Sequence, residues 1–215
     1  EGELPKGCNR DGDLAIFYIR VCCDDADQDY WHSICVLKAA MQLFLQAVQD
    51  IGIEDAYLYS DGATNFTGLA FMLLLMELCD DLKFWINAHM RPEPGDGKDA
   101  VDRDFARINT IFSSHLKTLG AVLENANQFV EALEAAQNKG PMLLNCAVTF
   151  KKPTTELKKA RSKALNTGKF AVMAGSSKNK KSKDNLYYTQ FERDETGART
   201  GVRVWAHKGV GAGRF

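Results

Sequence analysis

No stretch of this chain is apolar for long enough to cross a bilayer. Its longest apolar run, Leu69 to Leu78, contains Glu77 and is followed by Asp80 and Asp81, well short of the roughly 20 residues that a span requires. The polar, acidic Glu1 to Asp13 lacks a basic start followed by an apolar stretch, so no secretory leader is read and an intracellular setting is expected. Cysteine is present but unorganised. Cys8, Cys22, Cys23, Cys35, Cys79 and Cys146 include no C-x-x-C pair, and the four histidines are equally scattered. This argues against a zinc module or a disulfide framework and leaves buried thiols packing as small hydrophobes. The nucleotide-binding signatures are missing too. Around Gly97-Lys98, Pro92 and Asp99 occupy the positions where a phosphate loop needs glycine and Ser/Thr, which excludes that motif. No G-x-G-x-x-G follows a strand, and no G-x-S-x-G elbow or Cys/His motif favours a side-chain nucleophile.

What remains is ample for folding. The chain has 215 residues, 45% apolar and 26% charged, enough for one globular domain with an appendage. Its net charge of −1 conceals an asymmetry: residues 1–150 hold 11 Lys/Arg against 23 Asp/Glu, whereas residues 151–185 hold 11 Lys/Arg against only Glu156 and Asp184. Such a division predicts an acidic folded body and a basic segment able to meet phosphate.

The apolar patterning alternates strand and helix. Leu14 to Cys23 is a dense β-branched and apolar run after a turn-like Asn9-Arg10-Asp11-Gly12-Asp13, which predicts a buried strand. Ile34, Leu37, Met41, Phe44, Leu45 and Val48 mark one face of a helix over 30–51, stopped by Gly52. A short strand at Ala56–Tyr59 then meets Ser60-Asp61-Gly62-Ala63. Thr67–Leu78 reads as a buried helix, Lys83–Met90 as a strand, Lys98–Leu119 as an amphipathic helix and Gln128–Ala136 as another helix. Residues 151–185 read mostly as loop. A hairpin over Phe191–Trp205 turns at Asp194–Gly197, and the glycine-rich Gly209–Phe215 is expected to be flexible. This order predicts an α/β fold with a largely parallel sheet covered by helices. The expected segmentation is 1–150 as the core, 151–185 as the basic segment and 186–215 as hairpin and tail. In such sheets ligands gather at the carboxyl ends of the strands. Asp61 and the loop after Met90 both belong there.

Each acidic candidate also has a plainer explanation. Asp61-Gly62 is good turn chemistry, although its place after a strand also suits a carboxylate projecting into a site. The segment Arg91-Pro92-Glu93-Pro94-Gly95-Asp96-Gly97-Lys98-Asp99-Ala100-Val101-Asp102-Arg103-Asp104 is dense in acids. Asp99 and Asp102 are three apart at a helix start, where negative charge is favoured. A well-capped, solvated helix would account for them equally. The lysines and arginine at Lys158, Lys159, Arg161, Lys163, Lys178, Lys180, Lys181 and Lys183 can neutralise phosphates without reading sequence, or serve as a solubilising loop or nuclear-targeting tract.

Taken together, Ser60-Asp61-Gly62-Ala63 after a strand and Glu93-Pro94-Gly95-Asp96-Gly97-Lys98-Asp99-Ala100-Val101-Asp102-Arg103 about 30 residues later resemble transposase-derived proteins of eukaryotic DNA transposons with an RNase H-like (DDE/D) core. Val21–Asp29, leading into the long helix, and the ending Val202-Arg203-Val204-Trp205-Ala206 before glycines are similar to the same family. The resemblance implies an RNase H-like three-layer fold, its first strands expected upstream of Glu1. It implies three acids holding Mg²⁺ or Mn²⁺ for phosphoryl transfer on DNA, with Asp61 as the second acid and Asp102 as the third, and Asp99 and Glu93 as competitors. Asp13, Asp24 and Asp25 are the candidates for the first. It implies DNA as partner, a nuclear setting and, because missing strands would open a sheet edge, a homo-oligomer. The alternatives are a non-catalytic descendant that binds nucleic acid or protein, and an unrelated α/β enzyme acting on a small phosphorylated ligand.

Overall fold

A computed structural model describes residues 18–24, 29–49, 53, 56–60, 64–67, 69–91, 100–120, 122–136, 143–149, 153–156, 159, 188–197 and 199–205. The fold is mixed α/β. In chain order its elements are β1 (Tyr18–Cys23), α1 (Tyr30–Ala47), β2 (Tyr57–Tyr59), α2 (Thr64–Thr67), α3 (Leu69–Leu82), β3 (Ala88–Met90), α4 (Ala100–Leu119), α5 (Ala126–Ala136), β4 (Leu143–Val148), β5 (Tyr188–Arg193) and β6 (Arg199–Trp205). Among the described residues no helix is long and apolar enough to cross a membrane.

The contacts divide the chain into two units, one comprising residues 1–28, 35–52 and 98–151, the other 29–34, 53–97 and 152–215. In the first unit β1 pairs in parallel with β4, Tyr18 opposite Leu143 through Cys23 opposite Val148. Parallel partners need a long crossover, and here the connection carries α5, which packs on both strands. Helix α5 starts where it does because two carboxyl or amide oxygens meet its free N–H groups. Asn125 Oδ1 accepts from Gln128 N at 3.0 Å and Asp24 Oδ1 accepts from Ala126 N at 2.6 Å, an end-capping arrangement. Asp24, a candidate first acid, is thereby engaged in holding a helix. Ala126, Ala132 and Leu133 of α5 are buried, and Phe129 stacks on Phe112 of α4 with ring centroids 4.2 Å apart. The apolar face expected for α4 is met at Ile108, which is buried, but Phe105 is 59% exposed.

In the second unit the sheet order is β2-β3-β5-β6, β2 and β3 parallel, the other pairs antiparallel. Its core is led by α3, whose near-continuous apolar sequence leaves Phe71 and Leu75 with no exposure and Leu78 with 3%. A helix apolar on most sides must be buried, and each such side chain contributes roughly 2 kcal/mol by leaving water. Ile86, Ala88, Tyr188, Phe191 and Val202 of the sheet region are buried as well.

The expected hairpin is β5–β6, with Gly197 at φ +82° completing its turn, a conformation that glycine adopts without steric cost. Three expectations are revised. Among the described residues the pairing is mixed and not largely parallel, because the hairpin adds antiparallel pairs. The strand predicted over 83–90 is confined to Ala88–Met90, because Lys83 and Phe84 close the preceding helix. Strand β4 was not predicted: Asn145 interrupts its apolar run, and only the partner strand identifies it.

Candidate functional site

The carboxyl ends of the parallel pair β2 and β3 lie side by side. Ser60 N donates to Met90 O at 3.1 Å, carrying the ladder one step past Tyr59 and Met90, while Asn87 N donates to Ala56 O at 2.8 Å at the other end. On this edge Ser60 Oγ and His89 Nε2 are 2.8 Å apart. His89 is wholly buried, with the Phe71 ring 5.5 Å away. Burial, and then the charge of Arg91, push its pKa down to about 3. It is therefore a neutral imidazole whose Nδ1 has no partner among the described residues.

Arg91 shares the face of His89 by strand alternation. It is 6% exposed, and burial lowers its pKa to about 10, so it keeps its charge at neutral pH. Its Nη1 reaches the Phe66 carbonyl of α2 at 3.4 Å. Phe66 in turn meets Phe71 edge-on at 5.3 Å. The first turn of α1 joins the same group. Asp29 caps it by accepting from His32 N at 2.9 Å, Ser33 Oγ donates to Asp29 O at 3.1 Å, and Asn65 Nδ2 donates to Ser33 Oγ at 2.6 Å. Capping oxygens and a run of side-chain bonds of this kind fix helix α2 beside the strand ends.

Burial and the Arg91 charge depress the basicity of His89, which disfavours its taking a proton from the Ser60 hydroxyl at neutral pH. The contact is a fixed polar tether between two adjacent strand ends.

Of the acids singled out in the sequence, Asp61, Glu93 and Asp99 lie outside the described residues. Asp102 stands in the first turn of α4 and is exposed. Two positions further on, Asp104 is turned by about 200° around the helix and grips Arg20 of β1 with both oxygens, at 2.6 and 2.9 Å. Sequence reasoning missed this pair, whose members are 84 positions apart. Lys159 is described and exposed. Lys158, Arg161, Lys163, Lys178, Lys180, Lys181 and Lys183 lie outside the described residues. Among the described residues no group of three or more His, Cys, Asp or Glu side chains could hold a metal ion.

Compared with protein-family models, curated proteins and solved structures, the chain finds no match. Among the described residues, the polar edge of β2 and β3 is built by Ser60, His89 and Arg91. Its signal was the strand–polar-loop junction. The buried His89 gave none, since a lone histidine in an apolar strand reads equally as core.

Proposed function

We propose that this chain is an RNase H-like, transposase-type domain acting on DNA by metal-dependent phosphoryl transfer. The supporting observation is the Ser60 N to Met90 O hydrogen bond. It ties together the two strand ends from which the chain runs into Ser60-Asp61-Gly62-Ala63 and into the acid-rich segment beginning at Glu93. Carboxylates supplied from adjacent carboxyl ends of parallel strands are where α/β proteins gather ligands.

The donor candidates of this reading are Asp61, Glu93, Asp99 and Asp102, all hard oxygen ligands suited to Mg²⁺ or Mn²⁺, Asp61 and Asp102 being its first choices. The ion would stabilise charge on the phosphoryl oxygens. The protein's own part is to hold the strand ends through Ser60 and His89, and to keep the Arg91 cation beside them. The basic segment 151–185 supplies sequence-independent contact with DNA phosphates. A nuclear setting and self-association belong to the same proposal.

Thermal unfolding with and without Mn²⁺ tests the reading. A ligand that binds only the folded state raises Tm by mass action. The intact chain should be stabilised by Mn²⁺, and Asp61→Asn and Asp102→Asn should each lose that response. An intact chain whose Tm ignores millimolar Mn²⁺ would refute the proposal.

A further inference from the structure

At the opposite ends of the same strands, two departures from regular local geometry meet in one cleft. Helix α3 closes with Phe84 N donating to Cys79 O and Lys83 N to Asp80 O, both at 3.1 Å, the bond pair of a Schellman motif. Glycine usually takes the left-handed position in that motif because a side chain there is strained. Here the residue is Lys83, at φ +50°. The second departure is in the β5–β6 hairpin, whose register slips between Glu192, opposite Gly201, and Arg193, opposite Arg199, so that the extra residue Thr200 bulges from β6 beside Arg193; such bulges re-aim side chains.

The Arg193 guanidinium lies 3.4 Å over the centre of the Trp85 ring, and Phe191, two residues back on the same face, meets that indole edge-on at 6.4 Å. Beside this stack is a cleft of about 440 Å³ whose walls include Asp80, Lys83, Trp85, Arg193 and Gly197. That volume lies within the range of small-ligand sites, roughly 300–1,000 Å³.

The chemistry of the walls selects an occupant. A planar cation stacked on an indole is a platform for a flat aromatic ring. An exposed lysine at the rim meets phosphate, and the Asp80 carboxylate can accept from an exocyclic amino group, as acids do from cytosine. We propose that this cleft binds a cytosine-type nucleotide of single-stranded DNA. Only the choice of DNA rests on the functional reading above; the cleft is independent of the metal ligands. Lys83 is the residue that makes the idea testable, since its strained backbone is better suited to glycine.

The experiment is fluorescence anisotropy of labelled d(C)₅ and d(T)₅ on the full chain, in EDTA, across a salt series. Lys83→Gly should melt no lower than the parent yet bind d(C)₅ at least threefold more weakly. Its salt dependence should flatten by about 0.7 in log–log slope, the amount for one phosphate contact on a single strand. Trp85→Leu should weaken binding by fivefold or more, and d(C)₅ should bind more tightly than d(T)₅ in the parent. The basic segment contributes equally to parent and variants, so the differences report the cleft. Unchanged affinity and slope in Lys83→Gly would overturn the proposal, and so would equal binding of the two oligonucleotides. Because no metal is present, loss of the Mn²⁺ response and failure here are separate outcomes.

Discussion

Replacing Asp104 with alanine should cost the first unit about 3–5 kcal/mol, the penalty typical of breaking a buried ion pair and leaving its partner charged. The side chains of Arg20 and Asp104 are only 7% and 11% exposed. The carboxylate takes both Nε and Nη2 of the guanidinium. The remaining Nη1 is buried with no partner among the described residues, so nothing else described stands ready to satisfy the charge. Removing both charges should be far milder, because a well-packed apolar pair avoids desolvation altogether. The double variant Arg20→Met/Asp104→Leu is therefore expected within about 1 kcal/mol of the parent, with a coupling energy of at least ~2 kcal/mol in the double-mutant cycle. Tryptophan fluorescence would report the wrong part of the chain, since Trp31, Trp85 and Trp205 all belong to the second unit. Hydrogen exchange at the β1 and β4 amides, followed by mass spectrometry in a urea series, reads the first unit directly. A loss below ~1 kcal/mol for Asp104→Ala would mean that water screens the pair as it does at a surface, and the burial argument would fail.

Three further outcomes are expected. His89 should stay neutral by NMR down to about pH 3; since the unfolded chain binds its proton near pH 6.5, stability is full above 6.5 and falls as pH drops toward 3. The slope from this group is at most about 1.4 kcal/mol per pH unit, and His89→Gln should flatten it; an unchanged slope would show that the imidazole does not carry the effect. Burial first, then the neighbouring Cys146 and Cys23, raise the Cys22 pKa to about 11 against an opposing pull from Arg20. Iodoacetamide at pH 8 should therefore label Cys22 about 100-fold more slowly in the folded chain than in urea, and equal rates would contradict its burial. Asp24→Ala should destabilise the start of α5 by about 1 kcal/mol, seen as faster exchange at Ala126–Phe129 with β5 and β6 unaffected.

Much of the local structure was readable before any fold was known. Apolar residues at helical spacing located α1, α4 and α5, and turn residues between short apolar runs located β2 and the β5–β6 hairpin. Period and turn chemistry are properties of neighbouring residues, so a sequence carries them directly. The polar edge was legible in part: the junction at Ser60–Asp61 marked a strand end, but nothing local distinguished His89 as the partner of Ser60.

Partner choice was beyond the reach of the sequence. That β1 pairs with β4 across 119 intervening residues, that Arg20 meets Asp104, and that Arg193 faces the helix end at Lys83 all depend on long-range packing. Strand pairing and buried charge matching are chosen by which complete set of burials is lowest in free energy. A single segment cannot encode that choice. The sequence thus determined most of the helices, the β1 and β2 strands, the terminal hairpin and how charge was distributed. The tertiary structure decided which of those stretches became neighbours, because only there do distant side chains share one low-dielectric interior.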